Sequence, residues 1–419
     1  MKKFFALLLS LAMVLALVAC GQKDPTPDTP DTPDDPQTKV EYKVAMITDY
    51  GDITDQSFNQ TTYEACKAFA EDNSIEFSYF KPAGDNTADR VAMIEKAVDE
   101  GFNVIVMPGY AFGGAIVEAA PEFPDVKFIA LDVAAGDLLE TAVAKAGEAY
   151  DYTPENWDLN KYVDMSNVYC AVYQEELCGY MAGYAAVKLG YKNLGFLGGM
   201  SVPAVVRYGY GFVQGVDAAA ADLGLTDVKL NYIYGGQFFG DADITAVMDT
   251  WYQGGTEVVF ACGGGIYTSA VDAAKKVDGK VVGVDVDQAG VIAKYAAGDG
   301  ADEATIAQYL DLTVTSAMKG LYPATYDTLN DVINNGNWEK YVGKIETLGL
   351  VSGTDPEANY VQIPMGDGTQ WSDSFTQDDY KAMVADMFDG KVTVSNDTKK
   401  APTDFATAIT VNDQGQIKG

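Results

Sequence analysis

From residue 42 onward, short apolar runs alternate with longer segments in which apolar residues recur every three or four positions. The short runs predict strands covered on both faces, and the longer segments predict amphipathic helices. A first series places strands at Tyr42–Thr48, Phe77–Phe80, Val104–Met107 and Lys127–Leu131. Between them fall helices at Ser57–Glu71, with Cys66, Phe69 and Ala70 inward, at about Thr87–Glu100, stopped by Gly101, and near Gly114–Glu122. The stretch Ala134–Ser166 is less regular. The rhythm then resumes with strands at Val168–Tyr173, Leu194–Leu197, Val228–Tyr234, Glu257–Ala261 and Lys280–Asp285. Its helices are Glu175–Leu189, Ala204–Leu223, one ending at Gly254-Gly255, and Tyr267–Val277; Gly209, Gly211 and Gly215 are expected to loosen the second.

Two βαβ-rich halves in succession predict an α/β protein: two doubly wound parallel-sheet lobes whose strand carboxyl ends face a shared cleft, where such folds bind ligands. The length agrees, because 419 residues exceed what one core of roughly 250–300 residues supports. The expected N-terminal lobe spans 40–166 plus about 288–335. The expected C-terminal lobe spans 167–287 plus about 336–419.

The first 39 residues read differently. Lys2 and Lys3 precede an apolar run from Phe4 to Val18, too short to span a bilayer comfortably, and Leu17-Val18-Ala19-Cys20 follows. This resembles a bacterial lipoprotein signal peptide, which implies cleavage after residue 19 and a lipid on the Cys20 thiol. Acyl chains would then hold the protein at the extracytoplasmic face of the cell membrane. Residues 21–39, rich in Pro, Asp and Thr, form an extended tether. The other cysteines, Cys66, Cys170, Cys178 and Cys262, lie in apolar contexts and are read as buried free thiols rather than disulfides.

Composition narrows the function. There is no histidine, so His-dependent hydrolase machinery and imidazole metal sites are excluded; neither a metal nor a cofactor is expected. The leader contributes +2 and the tether −3 to a formal charge of −33, leaving −32 on the folded residues. That excess repels phosphate backbones, disfavours nucleic acid as a partner and suits an uncharged ligand.

The unusual residues collect at strand ends. Thr48 to Gln60 reads TDYGDITDQSFNQ, where Ser57 and Gln60 could form a capping box that brings Phe58 and Asn59 to the cleft in the first turn of a helix. Asp49 and Asp55 lie in the same loop. After a strand of the second half, Gly235-Gly236-Gln237-Phe238-Phe239-Gly240-Asp241 again presents aromatics, so each lobe offers one jaw for a flat ring. Two readings are open for Asp285, a ligand contact or a helix cap, and two for Lys319, a ligand contact or a solvated helix face. The glycine run 263–265 lacks the Lys-Ser/Thr of a phosphate-binding loop.

TDYGDITDQSFNQTTYEACKAF, NVYCAVYQEELCGYMAGYAAV, LGFLGG, VVFACGGG and GVDVDQ, in this order, resemble the basic membrane lipoprotein family of ABC-transporter substrate-binding proteins. The resemblance runs from about 42 to 395. It implies a periplasmic-binding-protein type I-like fold and a purine-nucleoside-like ligand delivered by a monomer to an ABC permease, with no chemistry performed. It further implies that Phe58 and Phe238 stack on the base and Asn59 meets its polar edge. Asp285 would accept from the ribose hydroxyls, Lys319 would contact the sugar, and the Gly263 region would close over it.

The sequence departs from that pattern after Val104–Met107, where many relatives carry an acid and this chain has Gly109-Tyr110-Ala111-Phe112-Gly113-Gly114; Tyr110 or Phe112 would supply apolar contact instead. The segments Ala134–Ser166, Ala296–Tyr309 and much beyond Asn334 look extended, as lids or transporter contacts. Two other functions stay open. One is a receptor or sensor of the same fold for a sugar or other small ligand. The other is a nucleoside hydrolase using Asp49, Asp55 or Asp285 as base.

Overall fold

A computed structural model describes residues 41–418. The leader, Cys20 and the tether lie outside the described residues. The first half supplies β1 (Lys43–Ile47), β2 (Glu76–Phe80), β3 (Val104–Pro108), β4 (Lys127–Leu131) and β5 (Val168–Tyr173). The second supplies β6 (Asn193–Gly198), β7 (Lys229–Tyr234), β8 (Val258–Cys262), β9 (Lys280–Asp285) and β10 (Thr313–Lys319). Three later strands follow: β11 (Ile345–Leu348), β12 (Val361–Gln362) and β13 (Thr410–Gln416).

These form two sheets, ordered β11-β5-β4-β3-β1-β2 and β12-β10-β9-β8-β6-β7-β13. Every pairing is parallel except that of β12 with β10. Strands such as Val104–Pro108 and Val258–Cys262 are buried along their whole length, as a sheet with helices on both faces requires. The expected α/β architecture of two doubly wound lobes is therefore observed.

The expected lobe boundaries are not. Val168–Tyr173, assigned to the second lobe, pairs with β4 in the first sheet, and Ile345–Leu348 joins it there. Thr313–Lys319, assigned to the first lobe, pairs with β9 in the second. The physical reason is that the chain changes lobe after a strand rather than before one. It crosses at Tyr173–Glu175, at Lys319–Leu321 and between β11 and β12, so each crossing leaves the carboxyl end of a strand.

The stretch read as irregular contains a helix, Ala135–Lys145, whose Leu138, Leu139, Ala142 and Val143 are buried. Glycines in the Pro203–Asp222 helix do not loosen it. Cβ atoms at Gly211 or Gly215 would overlap the backbone of Glu176 or Tyr180, and those at Gly179 or Gly183 would overlap Tyr208 or Phe212. The glycines thus let the Glu175–Lys188 and Pro203–Asp222 helices touch backbone to backbone. Cys66, Cys170, Cys178 and Cys262 are free and buried, as expected.

Candidate functional site

A cavity of about 410 Å³ lies between the carboxyl ends of the two sheets. Its walls include Asp49, Asp55, Phe58, Asn59, Tyr110, Phe238, Gly263, Asp285 and Lys319, nine of the ten residues singled out in sequence. The tenth, Ser57, stands behind the wall and touches Asp285.

The loop after β1 folds around its carboxylates. Asp49 Oδ1 accepts from the Tyr50 and Gly51 amides at 2.6 Å each and from Asn59 Nδ2 at 3.2 Å. Asp55 accepts from the Ser57 and Gln60 amides through one oxygen and from the Asn59 amide and Nδ2 through the other. Asp55 therefore caps the Phe58–Asn73 helix, and the Ser57–Gln60 capping box does not form. Gln60 Oε1 instead accepts from the Gln56 amide at 3.1 Å and its side-chain amide at 2.7 Å. Burial pushes both carboxyls above the usual range, opposed by the hydrogen bonds they accept. With Asp55 capping, the Ser57 hydroxyl is free to reach across the cleft to Asp285 Oδ2 at 2.5 Å.

Asp285 ends β9 with φ 67°, a left-handed conformation that Asp tolerates better than bulkier residues. Its Oδ1 accepts from Tyr208 Oη at 3.1 Å, and the next helix begins after Gln288, so Asp285 caps nothing. Lys319 does not lie on a solvated helix face. It ends β10, its side chain only 3% exposed, with Nζ 2.5 Å from Asp132 Oδ2, 3.6 Å from Glu175 and 3.7 Å from Asp285. The same ammonium sits 4.5 Å from the Phe58 ring centroid. Burial works to deprotonate Lys319, but Asp132, Asp285 and Glu175 outweigh it and hold the amine above its ordinary range. Glu175 also accepts from Arg207 Nε at 2.6 Å, while burial pushes its carboxyl up.

Across the cleft, Phe238 lies tilted to Tyr50, with ring centroids 6.4 Å apart. A Cβ on Gly263 would come within 2.8 Å of the Phe238 ring, so the glycine gives that ring its seat. Tyr50 and Tyr110 both direct their hydroxyls at Met200 Sδ, at 3.6 and 3.8 Å. Burial raises the Tyr110 phenol to about 12, so both partners on the wall stay neutral donors near pH 7. Phe112 is fully buried in the first-lobe core and offers nothing to the cavity.

Sequence reasoning missed Asp132, Asp137, Glu175, Arg207 and Tyr208. Asp132 had a readable signal, for it follows an apolar strand just as Asp49 follows β1 and Asp285 ends β9. The loop after β3 carries no acid, and the cavity's carboxylates come from other strand ends. Asp137 lines the wall, and burial raises its carboxyl to about 7. In all, six Asp face the cavity with Lys81, Arg207 and Lys319, so an anionic ligand would meet excess negative charge. Among the described residues no cluster fit to hold a metal ion is found, and no helix is long and apolar enough to cross a membrane.

The chain is similar to the ABC transporter nucleoside-binding protein BmpA of Lactococcus lactis, 25% identical over 92% of this chain and 96% of that protein. It is 27% identical to a CD4+ T-cell-stimulating antigen of Listeria monocytogenes over 78% of this chain and 83% of that one. An uncharacterized lipoprotein of Pyrococcus abyssi is 26% identical over 75% of this chain and 69% of its own length. In fold it matches an ABC transporter solute-binding protein of Aeropyrum pernix with a TM-score of 0.58 at 19% identity, over 87% of this chain and 90% of the other. Residues 42–354 match the family model of PnrA-like ABC transporter substrate-binding proteins, and the chain belongs to that family, Bmp.

Proposed function

We propose that this substrate-binding protein is a lipid-anchored extracytoplasmic receptor that closes on a purine-nucleoside-like solute and delivers it to an ABC importer. The observation that carries the reading is the convergence in one cavity of an aromatic ring from each lobe, Phe58 and Phe238, with the Asp285–Lys319 pair. Rings that stack on a base contribute about 1–3 kcal/mol per base, and a carboxylate accepts strong hydrogen bonds from a vicinal diol. The cavity's surplus of carboxylates favours a nucleoside over a nucleotide. The name of the Lactococcus relative supports the ligand class, and the Pyrococcus lipoproteins support the anchor on Cys20.

A binding role without chemistry is the reading that the family and the site support. Both oxygens of Asp55 and Oδ1 of Asp49 are engaged by the loop they organise, which suits Asp55 above all poorly to serve as a base. Calorimetry with inosine on Phe58→Ala and Asp285→Ala is the test. Affinity should fall by about tenfold or more in each. Unchanged affinity in both variants would refute the site, and free base and ribose after incubation would instead reveal a hydrolase.

A further inference from the structure

The chain continues well past residue 354, where the family match ends, and its last described residues pack against the loop that carries Phe238. β13 runs parallel to β7, with Thr410 opposite Lys229 and Gln416 opposite Tyr234. Its end therefore arrives where β7 gives way to the loop that carries Phe238. The Ile417 amide donates to the Tyr234 carbonyl at 2.8 Å. Lys418 Nζ hydrogen-bonds the Asp241 carboxylate and lies 3.4 Å from Asp243. The Asp241 oxygen that meets Lys418 also accepts from Gln237 Nε2 at 2.8 Å, while its other oxygen caps the Ala242–Gln253 helix through the Asp243 and Ile244 amides at 3.0 Å. Gly236, at φ 83°, packs so closely on the Lys418 backbone that a Cβ would overlap it.

Phe238 is thus held from two sides. In front, its ring rests on Gly199 and Gly263, and its carbonyl accepts from the Gly265 amide at 2.9 Å. Behind it, the C-terminal strand fixes the start of the loop through Gly236 and its end through Asp241. Three glycines, Gly235, Gly236 and Gly240, would otherwise leave this segment free to sample many conformations. A stacking ring gives its full contribution only when it need not be ordered at the moment of binding.

We propose that Lys418, carried by the C-terminal strand, is a positioning residue for the ligand: it braces the Phe238 loop in its stacking geometry. The inference rests on the nucleoside-receptor reading for its ligand but not for its mechanics. Exposed ion pairs shift an equilibrium by about 1.4- to 5-fold, and this one adds to the bonds by which Gln237 and Ser269 already hold Asp241 at the end of the loop. Lys418→Met, which keeps most of the aliphatic stem, should weaken binding by about two- to fivefold.

The test uses the full chain, with inosine titrated into the wild type, Lys418→Met, Lys418→Arg, Phe238→Ala and the Phe238→Ala/Lys418→Met pair. The expected result is a loss in Lys418→Met, recovery in Lys418→Arg, and no further loss when Lys418→Met is added to Phe238→Ala. An equal loss with and without the Phe238 ring would show a general structural effect and overturn the proposal, as would no loss at all. Hydrogen exchange on the ligand-free protein gives a second readout. Amides 236–240 should exchange faster in Lys418→Met while those of β8 stay unchanged, and equal exchange at 236–240 would overturn the brace. If the wild type binds no nucleoside, the ligand assignment falls while the exchange result still decides the role of Lys418.

Discussion

Replacing Lys319 by Met removes the one ammonium shared by three buried carboxylates. Asp132, Glu175 and Asp285 side chains are 10%, 0% and 8% exposed, and all three lie within 3.7 Å of Nζ. Arg207 forms its salt bridge with Glu175, at 2.6 Å, and acts on Asp132 only from farther away, so Asp132 and Asp285 are left without a cation in salt-bridge reach. Breaking a buried ion pair by deleting one partner costs about 3–5 kcal/mol, and that is the loss expected at pH 8. The deficit has a pH signature. Burial already pushes the Glu175 carboxyl up and the ammonium opposes that rise; without it Glu175 rises further, so the variant loses more stability than the wild type as pH climbs past the unfolded carboxyl value of about 4. At pH 5 part of the repulsion is relieved by protonation, and the deficit should be roughly 1–2 kcal/mol smaller. Urea unfolding of wild type and Lys319→Met at pH 5 and pH 8 measures both quantities. A deficit under about 1 kcal/mol at pH 8, or one equal at the two pH values, would refute the claim that Lys319 balances this cluster.

Three further outcomes follow from the geometry. Gly211→Ala forces a methyl into the backbone of Glu176 and should cost at least about 1–3 kcal/mol in chemical denaturation, more than its exchange for a helix-favouring residue returns. Ser57→Ala removes a hydrogen bond to Asp285 that spans the lobes, so apparent ligand affinity should drop by about tenfold or more, with little change in helix content by circular dichroism. Asp137, held near 7 by burial, binds a proton that its unfolded form gives up near 4, so it lowers stability as pH rises between those values; Asp137→Asn should flatten that part of the thermal-melting profile.

Much of the fold is legible because its signals are local. An apolar run such as Val104–Pro108 has only one way to be buried on both faces, and Cys66, Phe69 and Ala70 fall inward from periodicity alone. The candidate site was legible for a related reason. In a parallel sheet every strand points its carboxyl end the same way, so polar and aromatic residues just past an apolar run share one edge. That places Asp49, Phe58, Phe238 and Asp285 around one cavity without knowledge of their contacts.

Tertiary structure alone decided what each of those groups does. Asp55 rather than Ser57 caps the helix, and the serine hydroxyl instead meets Asp285, a residue 228 positions away that no local window contains. Sequence leaves Lys319 open between a ligand contact and a solvated helix face until β10 is placed beside β9 and its ammonium falls among three acids. Membership of β5 and β10 in their sheets follows from where the chain crosses the cleft, a nonlocal choice that no window of sequence contains. The glycines of Pro203–Asp222 acquire their meaning only from the second helix that presses against them. Periodicity specifies which face of an element is buried; only the packed chain specifies against what, and the energy of every buried charge here depends on that neighbour.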